Sequence, residues 1–292
     1  VLAWLAYLTV AVVWGSTYFG IALGITSFHT FGMVSARYLV GGLLALLVSR
    51  FRGEAWPLKR DLPHLMLQGC LLLTFSNALV TWAEGSVSSG VTAVLGSTTP
   101  LVYALLGRER LGLRAWVGLF LGLLGVAILV QSQSKTQALN LLGLVAILLA
   151  VFLWAFGTLH GRNHVQGQGL FGQAGVQMLT GGFLALLLVP WTGGFLHAPL
   201  TWKAGLAVIY LAIFGSLLAY SAFIYLSRTW PPTKMSTYVY INPIVAVLLG
   251  CLFIGEPFSF PMALGMVVVL AGVALLQTAK PKPLATGPSG NG

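Results

Sequence analysis

Residues 39–47 read LVGGLLALL and residues 179–187 read LTGGFLALL, a match at an offset of 140 in a chain of 292 residues. Its neighbours show that the match is no accident of an oily composition. Trp14 matches Trp154 at the same offset. Pro100 and Gly107 match Pro243 and Gly250 at an offset of 143. Glu109, Gly118 and Gly125 match Glu256, Gly265 and Gly272 at 147. The drift places the insertions in loops or at helix ends. Internal repeats of this kind mean a duplicated structural unit.

The unit belongs in a membrane. The chain is 58% hydrophobic and only 7% charged, where a soluble domain carries about 25% charged residues. That polar supply could not cover the surface of a soluble globule. Apolar runs recur at 2–22, 30–49, 64–83, 90–107, 112–131, 141–160, 170–190, 203–226, 234–254 and 260–279, each near the ~20 residues that cross a bilayer core. The alternating segments of a transmembrane β-barrel are not seen. The expected fold is an all-α polytopic membrane protein. Its ten transmembrane helices form two five-helix copies, residues 1–131 and 140–279, joined near 132–140. An odd number of spans per copy inverts the second copy, a device common in secondary transporters. The start lacks the pattern of a cleavable signal, and the missing initiator Met fits a trimmed end. The tail 280–292, rich in Pro and Gly, is expected to be disordered and cytoplasmic.

The net charge of +10 raises the question of nucleic acid, and its distribution answers no. With a cytoplasmic N-terminus, Arg50, Arg52, Lys59, Arg60, Arg108, Arg110, Arg114, Arg162, Arg228, Lys234, Lys280 and Lys282 lie inside, against Lys135 and Lys203 outside. Twelve against two is a strong positive-inside signal. Both termini are expected in the cytoplasm of a cell with the protein in its inner membrane. The partners implied are the lipid bilayer and a small-molecule solute, not nucleic acid.

Helical faces taken at ~100° per residue give the candidate solute path. Span 1 aligns Tyr7, Ala11, Trp14 and Tyr18; span 6 aligns Ile147, Val151, Trp154 and Thr158. Span 3 aligns Thr74, Asn77, Ala78 and Thr81, and span 4 aligns Thr92, Gly96, Thr99 and Tyr103. Span 8 aligns Tyr210, Phe214, Ser221 and Tyr225, and span 9 places Tyr238 with Asn242. The expected cavity residues are Trp14, Tyr18, Asn77, Thr81, Thr99, Tyr103, Trp154, Thr158, Ser221, Tyr238 and Asn242. Tyr7, Tyr210 and Tyr225, nearer span ends, fit an interfacial belt equally well. Gly118 and Gly122 make a small-residue face suited to helix packing.

Thr99-Pro100 and Asn242-Pro243 pair a capping side chain with a residue suited to a first helical turn. They sit mid-span, at matching places in the two copies. Pro100 and Pro243 are therefore expected hinge or gate positions. A kinked helix and a broken one both fit. Arg37, matched by Gln177, is the one cation well inside a span. Snorkelling, an ion pair and contact with a solute carboxylate all remain open for it. Glu84 lies at the outer end of span 3, and Glu109 and Glu256 at the starts of spans 5 and 10, where a carboxylate suits the helix dipole.

No cofactor is expected. GQGLFG at 167–172 fits a nucleotide motif in form only, since no strand precedes it. Cys70 and Cys251 read as packing residues. No His/Cys/acid cluster shows metal-ligand spacing. His29, His160, His164 and His197 fall near span ends with no serine to pair with, so an intramembrane enzyme is disfavoured. A structural membrane protein would leave polar stripes in both copies unexplained.

Trp14-Gly15, the series Pro100, Gly107, Glu109, Gly118, Gly125 and its copy at 243–272 resemble the drug/metabolite transporter superfamily, over nearly the whole chain. Among its EamA-type ten-helix members the chain is most similar to the aromatic amino acid exporters called YddG. The departure lies at 107–109, where GRE stands against GCLFIGE in the second copy. The resemblance implies a central cavity and export of amino acids, aromatic ones included. Cationic drugs, nucleotide-sugars and other metabolites move through the same fold. Aromatic walls with few fixed charges suit an apolar or zwitterionic solute.

Overall fold

The computed structural model describes residues 1–83, 87, 92, 95–131, 140–167, 169–249, 252 and 259–279, with only the backbone of Val130 and Ala246. Glu84, Lys135, Gly250, Cys251, Glu256, Lys280, Lys282, most of the junction at 132–140 and the tail 280–292 lie outside the described residues.

The chain is an all-helical polytopic membrane protein. We number its helices α1 (Leu2–Gly24), α2 (Thr30–Phe51), α3 (Lys59–Ala83), α4 (Thr99–Leu106), α5 (Leu113–Gln131), α6 (Leu141–His164), α7 (Leu170–Leu188), α8 (Trp202–Thr229), α9 (Tyr238–Leu249) and α10 (Phe260–Thr278). A short turn, Pro232–Met235, precedes α9. Among the described residues, seven helices are long and apolar enough to cross a membrane: α1, α2, α3, α6, α7 with its 3-10 extension to Thr192, α8 and α10. Their outer faces are apolar, as Leu43, Leu47, Phe183, Leu187, Val267 and Leu270 are all exposed. In water such faces would be costly; in lipid they are the required surface.

The packing recurs between the halves. α2 lies along α7 and α5 along α10, each helix beside its own repeat mate. α1 packs on α8 and α9, and α6 correspondingly on α3 and α4. Small residues bring α5 and α10 together: a Cβ added at Gly272 would stand 2.7 Å from Gly118 O, and one at Gly118 2.8 Å from Gly272 O. Without a hydrophobic drive between helices in lipid, such close backbone contact supplies the attraction.

α3 and α8 share a second feature. Each contains an eight-residue π-helical stretch, Gly69–Ser76 and Leu211–Leu218, set 142 residues apart. A π turn inserts residues into the α-helical count and rotates everything beyond it. Faces drawn along these spans at a constant angle therefore fail, with the consequence seen in the cavity below.

The twin prolines adopt different structures. In the first copy residues 97–98 form a turn and α4 starts at Thr99, with Pro100 in its first turn. In the second copy Pro243 lies inside α9, which continues on both sides of it. The span is interrupted once and kept whole once.

Glu109 also differs from expectation. α5 begins only at Leu113, so the Glu109 carboxylate does not serve that helix. It accepts from the Thr233 backbone N–H at 3.1 Å, in the turn before α9.

Candidate functional site

The largest set of sequence-expected residues meets in one cavity of about 170 Å³. Trp14, Tyr18, Asn77, Thr99, Trp154, Tyr238 and Asn242 line it. α1, α3, α4, α6 and α9 supply them, so both halves of the chain build the site. On α1 the lining runs from Trp14 towards Ile21, and on α3 from Ser76 to Val80. The cavity thus lies towards the end of the bundle remote from the N-terminus. Its floor is aromatic: ring centroids of Trp14 lie 5.4 Å from Trp154, 5.3 Å from Phe223 and 5.1 Å from Tyr238.

Below that floor the bundle is closed. The Tyr7 hydroxyl bonds Thr237 Oγ1 at 2.9 Å, and Gln277 Nε2 donates to the same oxygen at 2.9 Å. Trp4, Tyr7 and Trp230 pack ring on ring, with the Lys234 ammonium 4.9 Å from the Trp230 centroid. Arg162 Nη1 donates to Trp230 O at 2.6 Å and Ser227 O at 3.1 Å. Tyr7 thus belongs to this plug and neither to an exposed belt nor to the cavity.

Four expected cavity residues are elsewhere. Thr81 lines a separate hollow with His29, Trp82, Asn140 and His197. Tyr103 is fully buried in the main core, against which Trp154 packs. Thr158 is buried and bonds back to Trp154 O at 2.8 Å. Ser221 is buried, and its hydroxyl has no hydrogen-bond partner among the described residues. The π turns explain the errors on α3 and α8. At the end of the α3 stretch and beyond it, Ser76 and Val80 join the expected Asn77 at the cavity, while the Thr74 hydroxyl bonds Gly181 O at 2.7 Å. On α8, Gly215 and Tyr220 reach the cavity while Phe214 is exposed. Tyr210 leaves the stripe as well and bonds Ser16. On α4 and α6, Tyr103 and Thr158 sit beyond the cavity floor on otherwise correct helices. Neither Pro100 nor Pro243 lines the cavity; each follows a residue that does.

Arg37 is the largest omission from the expected set. It lines the cavity and is 7% exposed. Its Nε donates to Ser216 Oγ at 2.8 Å, and its guanidinium lies 5.0 Å from the Tyr38 ring centroid. Among the described residues it makes no ion pair. A charge buried in an apolar span is a functional pointer on its own. Its repeat mate Gln177 donates to Gln68 Oε1 at 2.9 Å and accepts from the Tyr220 hydroxyl. The second copy thus fills the equivalent place with a neutral amide bonded through both its nitrogen and its oxygen.

A second cluster was hidden from the sequence. His64, near the start of α3, meets His160 and His164 at the end of α6. The expectation that no histidine cluster has metal-ligand spacing is therefore corrected. His160 and His164 are one helical turn apart, but the third ring arrives from 96 residues away.

The sequence profile of the EamA-like transporter family matches residues 1–131 and 141–278. The uncharacterized inner membrane transporter YedA of Escherichia coli strain K12 is 36% identical over 92% of this chain and 88% of its own length. The uncharacterized transporter YdfC of Bacillus subtilis is 26% identical over 89% and 86%. Protein PecM of Dickeya dadantii is 28% identical over 91% and 89%. A crystal structure of a further protein aligns with a TM-score of 0.76 at 17% identity, covering 94% of this chain and 95% of that one, which shows a shared fold.

Proposed function

The chain belongs to the EamA-like transporter family, and from that premise we propose that it exports small organic solutes, namely amino acids, aromatic ones included, across the inner membrane by alternating access. Residues 1–131 and 140–279 act as two inverted copies that exchange conformations. The closed end, which carries the N-terminus, faces the cytoplasm, in agreement with the positive-inside charge count. The cavity then stands open to the outside.

The observation that carries the solute class is Arg37 in an aromatic cavity, with a hydroxyl as its hydrogen-bond partner. A guanidinium in low dielectric without a paired anion is costly. A solute carboxylate removes that cost through charge-assisted bonds. At ~4 Å and an effective dielectric near 20, the attraction is roughly 4 kcal/mol before desolvation, and it becomes an equal repulsion for a cation. Trp14, Trp154 and Tyr18 offer ring faces to an apolar side chain. Thr99 and Asn242 offer oxygens to an ammonium group. Organic cations are disfavoured by the same Arg37. Nucleotide-sugars carry two phosphate charges, and Arg37 is the one cation among the described residues that line the cavity.

Counterflow in proteoliposomes tests the proposal. Labelled tryptophan or phenylalanine should exchange, and Arg37→Gln should weaken its affinity about 10- to 100-fold, the worth of a charged hydrogen bond. Arg37→Lys should retain part of it. Transport of tetraethylammonium in preference to amino acids, unaffected by Arg37→Gln, would transfer the protein to the cationic-drug exporters.

A further inference from the structure

We propose that His64, His160 and His164 form a binding site for one divalent transition cation of the Zn²⁺ type, clasping α3 to α6. The site is separate from the solute cavity and lies at the closed end of the bundle. The candidate ligand nitrogens all lie within 4.8 Å of one another. His64 Nδ1 and His160 Nε2 are 2.9 Å apart and share a proton in a hydrogen bond. Tetrahedral zinc with Zn–N bonds of ~2.0–2.1 Å sets its ligands about 3.3 Å apart. The rings now stack, with the His164 centroid 4.2 Å from that of His160 and 4.8 Å from that of His64, and side-chain rotations that turn them out of the stack aim their nitrogens at one point. The metal then takes the place of the shared proton, which moves to the other nitrogen of the same ring, so that each imidazole binds as a neutral ligand.

The third ligand is already oriented. His164 Nδ1 lies 2.8 Å from His160 O. As an N–H donor to that carbonyl it leaves Nε2 with a lone pair, the outer-shell arrangement that fixes a metal-binding tautomer. His164 is exposed and the other two rings are half-buried, so a fourth position is open to water. Imidazole ligands select Zn²⁺, Ni²⁺ and Cu²⁺ over Mg²⁺ and Ca²⁺.

The backbone around the site is pinned. Asp61 Oδ2 accepts from the Gln166 and Gly167 N–H groups at 3.1 and 2.7 Å, and Arg60 donates to Gln166 Oε1 at 2.7 Å. These bonds tie the start of α3 to the segment leaving α6. The three imidazoles are held near one another before any cation arrives.

Calorimetric titration of the tag-free protein in detergent with ZnCl₂ should give one saturable site, with no response to MgCl₂. His64→Gln and His160→Ala should each weaken binding at least tenfold. His197→Ala, at the opposite end, should leave it unchanged. Zn²⁺ should also raise the thermal midpoint of the wild type and not that of His64→Gln, because a ligand that binds only the folded pair stabilises it. His64→Gln changes a half-buried side chain and keeps the result readable if His160→Ala folds poorly. Absence of saturable Zn²⁺ binding, wild-type affinity in both variants, or loss of binding in His197→Ala would each overturn the site.

Discussion

The contact of α1 with α9 and that of α6 with α4 are the same contact in two copies, and they are built differently. On α1, a Cβ at Gly15 would stand 2.6 Å from Val245 Cβ and 3.0 Å from Asn242 O. The helices touch there because Gly15 has no side chain. On α6 the matching residue is Ala155, fully buried. Trp14 Nε1 donates to Gly215 O at 2.9 Å, in the π stretch of α8. Trp154 Nε1 is buried and makes no such bond to the backbone of a neighbouring helix among the described residues. Pro243 is carried inside an unbroken α9, whereas α4 begins anew beside Pro100. With its amide nitrogen turned to the surrounding acceptors, Asn242 donates to Ala11 O and Tyr238 O at 3.0 Å, tying α9 to α1. Among the described residues Thr99 bonds back into its own segment, to Gly96 O. The first pair is close and cross-bonded; the second is looser. Similar sequence in the two halves has produced two conformations, an asymmetry that the proposed alternating access would use.

The largest test of that difference is at Gly15. Gly15→Val should drive α1 from α9 and cost about 1–3 kcal/mol or more in overpacking, seen as a large fall in thermal midpoint and lost transport. Ala155→Gly should cost only about 0.5–1 kcal/mol. Equal midpoints for Gly15→Val and wild type would mean that the close contact carries no energy.

The prolines come next. A proline inside a helix costs ~3 kcal/mol in water, part of which neighbouring groups recover in a membrane. Pro243→Ala should therefore raise the thermal midpoint. Pro100→Ala, in a first turn where proline is tolerated, should barely move it. If both are hinges, both variants turn over more slowly in proteoliposomes. Wild-type rates in both would reduce the repeated motif to a packing relic.

The smallest effect separates the tryptophans. Trp14→Phe removes a hydrogen bond worth about 1 kcal/mol. Trp154→Phe removes no bond to a backbone carbonyl and should lower thermal stability less while still altering the cavity wall. Equal destabilisation by the two would show that the asymmetry is geometric and not energetic.

The membrane class, the helical architecture and the family were legible in the sequence, because they depend on quantities that add along the chain. Apolar length, charge count and repeat offset need no knowledge of neighbours. Most of the cavity was legible for the same reason: α1, α6 and α9 keep a steady turn, so Trp14, Trp154, Tyr238 and Asn242 fall where a constant angle puts them. Three things were decided only in three dimensions. The π stretches of α3 and α8 changed the turn angle, moving Tyr220 into the cavity and Thr74 out of it. The choice between broken and continuous helices at the twin prolines depended on what packs beside them, since the local sequence permits both. Arg37 and the three histidines took their meaning from partners far along the chain. Proximity between distant residues is a property of packing, and no local pattern encodes it.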